Sequence, residues 1–119
     1  MNYTIMLREV QRLRASGRQL PPSVAEPLAQ LDALDAQLTT AHHQLTAAME
    51  AAQRSAIAGK LDLAELDAVT RARVCVEVLE SAMLATLRAA HASADHAGLL
   101  PPRRVRPGAL PTVRVGAFQ

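Results

Sequence analysis

The chain has 119 residues, enough for one small domain. Half of it is hydrophobic but only 2% is aromatic, so its apolar matter is mostly Ala, Leu and Val, and the first two are strong helix formers. The net charge of +2 hides basic ends and an acidic middle, and the single cysteine, Cys75, excludes an intramolecular disulfide.

In chain order, Thr4 is the expected N-cap of a short helix over about 4–16. Met6, Val10 and Leu13 share one face of it, and Gly17 ends it. Pro21-Pro22 breaks the chain. Ser23 and Glu26 have capping-box spacing, which predicts a second helix over about 24–58 with Pro27 near its start. Gly59 stops that helix. Asp62 and Glu65 repeat the capping-box spacing and predict a third helix over about 63–94.

The link between the two long helices is so short that they must fold back as an antiparallel hairpin. One stripe of the second helix is Leu31, Leu34, Leu38, Ala41, Leu45, Ala48 and Ala52. The matching stripe of the third is Val69, Ala72, Val76, Leu79, Met83, Leu87 and Ala90. A single register pairs Leu34 with Leu87, Leu38 with Met83, Leu45 with Val76 and Ala52 with Val69. In or beside that register Glu50 faces Arg71, Arg54 faces Asp67, Asp32 faces Arg88 and His43 faces Glu77. The fold class expected is therefore all-α: a helical domain over 1–97 built on one long hairpin.

The third helix is apolar beyond that stripe. Val74, Val78, Ala82 and Ala85 form a second row, with Leu84 and Cys75 beside it. One partner helix cannot cover so much surface, which points to a homo-oligomer or to a subunit of a larger assembly. Cys75, between two valines, is expected to be a buried inert thiol.

Residues 98–119 differ from the rest, with four Pro, three Gly, four Arg and no acid. They read as an extended C-terminal arm with a short strand signal over 112–118. Val113, Val115 and Phe118 would anchor the arm on a neighbour, and Arg103, Arg104, Arg106 and Arg114 would meet its charge. The ends of the chain are basic and its middle is acidic: residues 19–97 hold five basic and ten acidic groups. Such a distribution favours docking of one molecule's ends on another's middle.

No residue pattern here carries catalysis. The histidines His42, His43, His91 and His96 do not form a three-ligand zinc set, and no Glu-x-x-His pair suits a di-iron bundle. There is no phosphate loop and no nucleophile elbow. No cofactor, metal or small-molecule substrate is expected. The arginines at 8, 12, 14 and 18 and those of the arm give an alternative reading as a nucleic-acid-binding accessory protein, but no aromatic stands among them to stack a base. No signal peptide is expected, and no apolar run approaches the 18 residues of a membrane span. The expected location is the cytoplasm, or a particle assembled there. A helical body with an extended C-terminal arm resembles, in architecture, the small connector and adaptor proteins of tailed phage particles. That resemblance implies a structural role in a virion. The overall expectation is a non-enzymatic assembly protein that joins its partners through Val74, Val78, Ala82, Leu84 and the arm.

Overall fold

The computed structural model describes residues 2–101. The C-terminal arm, with its strand signal and the anchors Arg103, Arg104, Arg106, Val113, Arg114, Val115 and Phe118, lies outside them. Three helices form the described chain: α1 (Tyr3–Ala15), α2 (Pro22–Ile57) and α3 (Leu63–His96). The two long helices make the expected antiparallel hairpin. At 1.5 Å per residue α2 alone is about 54 Å long, and the described residues measure 72 × 34 × 17 Å.

The helix ends follow local chemistry, with two corrections. Asn2, not Thr4, caps α1: its side-chain carbonyl accepts the Thr4 amide at 2.7 Å. Ser23 does not cap α2. That helix already begins at Pro22, behind an extended Pro21, because proline's fixed φ suits the first helical position and it has no N–H to leave orphaned. Ser23 and Glu26 thus fall inside the helix, and Pro27 lies beyond its first turn. Asp62 does cap α3, its carboxylate accepting the Glu65 amide at 2.9 Å. Only half of that capping box forms, since the Glu65 carboxylate accepts the Ser55 hydroxyl across the turn instead. At the other ends, Gly59 and Gly98 sit at φ +72°. Beyond them Lys60 N–H bonds back to Ser55 at 2.7 Å and Leu99 N–H to Ala94 at 2.9 Å. This left-handed closure satisfies the last carbonyls of α2 and α3.

The register is the expected one. The Ser55–Glu65 bond joins the helices at the turn, and Leu38 and Met83 meet midway along the hairpin. Every residue of the two predicted stripes is buried or half-buried. The predicted cross-hairpin ion pairs fare differently. Arg71 bonds Asp67 one turn back on its own helix, and Asp32 takes Arg14 of α1 rather than Arg88. An i,i+4 partner is always within reach on a helix surface, so a flexible guanidinium chooses it over a carboxylate across the groove.

α1 runs alongside α3 in the same direction, over the open end of the hairpin. Its Met6, Val10 and Leu13 pack with Val24, Leu28 and Leu31 of α2 and with Leu87, Ala90 and Ala94 of α3. This cluster is the core. Burying Val10, Val24 and Leu87 almost completely contributes about 1.5–3 kcal/mol for each side chain. Leu20, Leu99 and Leu100 close its lower edge. Among the described residues no third helix lies over the distal half of the hairpin.

Candidate interaction surfaces

One buried polar contact stands out. His91 of α3 meets Glu9 of α1, Nε2 to Oε1 at 2.7 Å, with only 8% and 18% of the two side chains exposed. The imidazole lies at the edge of the core because α3 turns that side toward α1. Glu9 reaches it because α1 keeps Met6, Val10 and Leu13 inward on neighbouring turns. Such a bond fixes the position of α1 along α3, since a slide of one turn would leave both groups buried without partners. Sequence reasoning missed it: the partners are 82 positions apart, and no local pattern joins them.

The basic face of α1 is partly spent within the molecule. Arg14 makes a two-pronged contact with Asp32 of α2, Nη2 lying within hydrogen-bond reach of both carboxylate oxygens. Arg12 and Arg18 line a small groove with Glu9, Leu13 and Leu100 at the base.

The apolar row expected on α3 separates into three directions. Val74 and Val78 stand on the outer side of the helix, 51% and 61% exposed, with Ala85 also exposed about two turns further on. Ala82 is half-buried. Leu84 turns the other way, toward α1: it packs on the core and lines a groove with Tyr3, Asp35, Leu38, Glu80 and Met83. Cys75 is exposed, not buried as expected. One residue on an α-helix is a 100° rotation, so the residue before the buried Val76 opens onto a flat side of the hairpin. There it borders two shallow grooves with Gln44 and residues of both helices. His42 and His43 are exposed on α2. Among the described residues no three His, Cys, Asp or Glu side chains converge, and no helix is long and apolar enough to cross a membrane.

A further apolar cluster surrounds the hairpin turn. Ile57 and Leu63 are 81% and 82% exposed, and Leu61 and Leu66 are also open. These four residues were legible as apolar positions off the stripe, flanking Gly59-Lys60. The stripe argument gave them no role because none of them faces the partner helix. No protein-family model, no curated protein and no solved structure matches the chain.

Proposed function

We propose that this is a non-enzymatic assembly protein, a rigid helical hairpin that joins a larger structure through its exposed apolar surface. The observation that carries this reading is the outer row of α3, where Val74 and Val78 are more than half exposed along a helix whose inner side is already packed. Isolated exposed valines are ordinary. A pair at helical spacing, with the open leucines and isoleucine of the turn as a second apolar area on the same hairpin, is the pattern of a contact surface. The basic, acid-free segment 98–119 supplies a second attachment, with Val113, Val115 and Phe118 as anchors and its arginines as charge partners. A part in a virion is the most concrete form of this role.

The contact between Arg14 and Asp32 favours protein over nucleic acid as the partner of the basic groups, because one arginine of the α1 cluster already serves an acidic side chain. Truncation after residue 101, which keeps the Gly98 closure and the packing of Leu99 and Leu100, tests the role of the arm. The helical circular-dichroism signal should persist while capture of partners from a source extract is lost. Full capture by the truncated chain would remove the arm from the mechanism. Binding to generic DNA that falls steeply with salt would replace this reading with the nucleic-acid one.

A further inference from the structure

The flank of α1 that faces α2 borders a continuous channel. Its lower part lies between Leu7, Gln11 and Asp32; its upper part, past the first turn of α1, lies between Leu38, Glu80 and Leu84. Tyr3, Asp35 and Met83 line both parts, so the channel runs from α1 onto the bare hairpin. It has an apolar floor and an acidic rim. Leu31, Leu38, Met83 and Leu84 are buried or half-buried, while Asp32, Asp35 and Glu80 are exposed. Arg14 neutralises Asp32. Among the described residues Asp35 and Glu80 have no basic group within salt-bridge distance. The other grooves described lack this combination. The one at the base carries Arg12 and Arg18, and its one acid, Glu9, is already bonded to His91. The two on the Cys75 side have no acid.

An apolar channel with a negative rim suits a segment that alternates apolar and basic side chains. The chain holds one: Val113-Arg114-Val115, followed by Phe118, in a stretch with four arginines and no acid. An extended segment sends neighbouring side chains to opposite sides, so two valines can take the floor while the long arginine bends to the rim.

The start of that stretch lies close by. The turn at Gly98 folds the chain back against α1: Leu99 and Leu100 pack on the core, and with Pro101 they lie beside Leu13 and Ser16 in the last turns of α1. The arm therefore starts on the side of the hairpin that α1 and the channel share. The path from there, under α1 and along its length to Tyr3, is about 30 Å. Val113 is twelve residues past Pro101 and can reach about 40 Å. Arg12 and Arg18 on the near flank of α1 repel the arginines of the arm, which leaves the acidic flank as the attractive one. A segment tethered this closely meets the channel at an effective concentration on the order of millimolar, which an untethered partner must exceed. We infer that the channel lined by Tyr3, Asp35, Leu38, Glu80, Met83 and Leu84 is the docking site of this chain's own C-terminal arm, with Val113, Val115 and Phe118 on its floor and Arg114 at its acidic rim.

This goes beyond the assembly reading: the arm that would join a neighbour is first stowed on its own molecule, and the neighbour must displace it. The test uses the full chain with a nitroxide on Gln119→Cys in a Cys75→Ser background. In one sample the nitroxide-bearing chain is itself enriched in ¹⁵N. In the other, a ¹⁵N chain without the nitroxide is mixed with a nitroxide-bearing chain of natural isotopes. The amide peaks of Tyr3, Asp35, Leu38, Glu80 and Met83 should lose intensity in the first sample at every protein concentration and keep it in the second. The double variant Asp35→Lys with Glu80→Lys, at two exposed positions, should keep its helical signal and recover those peaks. Salt at about 1 M, where the screening length is about 3 Å, should recover them in part. Loss in the mixed sample alone would show the arm on another copy, overturning this inference and leaving the assembly reading standing. Loss at no described residue, or loss centred on Gln44 or Ile57 instead, would overturn the channel as the site. The assembly reading is judged separately by partner capture with the truncated chain, and its failure there would leave the docked arm untouched.

Discussion

The two ends of the hairpin are built from similar helices but are held differently. At the base, three helices enclose a core in which Leu87, Ala90 and Val24 lose essentially all contact with water. Toward the turn no other described residues cover the same two long helices. Beyond the core cluster Ala41 and Val76 are the only buried hydrophobic side chains among the described residues, and Ile57 and Leu63 stand in solvent. Helix propensity is comparable in both halves, so the difference lies in tertiary packing. A helix pair gains one seam of burial; a third helix turns that seam into a core. Stability in this chain should therefore be graded, firm at the base and weak toward the turn.

That gradient can be broken most sharply at Leu87. Leu87→Ala removes a buried side chain at the junction of all three helices and should cost about 2–5 kcal/mol of unfolding free energy. Val69→Ala, half-buried near the turn, should cost well under half of that. Equal losses in urea denaturation would show that the distal half is as well packed as the base. The next effect concerns the tie between α1 and α3. His91→Ala leaves the Glu9 carboxylate without its partner in a largely buried site and should cost about 1–3 kcal/mol. Amide hydrogen exchange should then quicken in α1 first; an unchanged exchange pattern there would mean that the apolar contacts of α1 hold it without the polar bond. The smallest effect is at the cap near the turn. Asp62→Ala should cost about 0.5–2 kcal/mol, read as a lowered Tm, and Asp62→Asn should restore most of it. A loss shared equally by both variants would assign the effect to charge rather than to the capping bond.

The hairpin was legible because it is written in period: residues at helical spacing in two stripes, one register, and a glycine and a capping aspartate at the turn. All fourteen stripe residues avoid full exposure, and Asp62 caps α3 as its position implied. What could not be read depended on competition or on distance. Asn2 and Thr4 are both competent caps two residues apart, and the earlier one prevails. Ser23 lost its place to Pro22, whose backbone is already shaped for a helix start. Cys75 was misjudged by its valine neighbours, since adjacent residues on a helix do not share a side. The His91–Glu9 contact joins the first helix to the last, so it exists only once the whole topology does. The row on α3 was visible as excess apolar surface, but its division among the outer side, the α1 side and the flat side required coordinates.

The placement of α1 also sets an order of events during synthesis. This helix is made before the other two, yet much of its packing surface and its one buried polar partner lie on the last turns of α3, near Leu87, His91 and Ala94. Until those residues have been added, α1 can lean only on the early turns of α2. The closing step must bring together segments some eighty positions apart, a large loop to close and thus a late one. Of the two ends of the hairpin, the better packed is the one that a growing chain completes later.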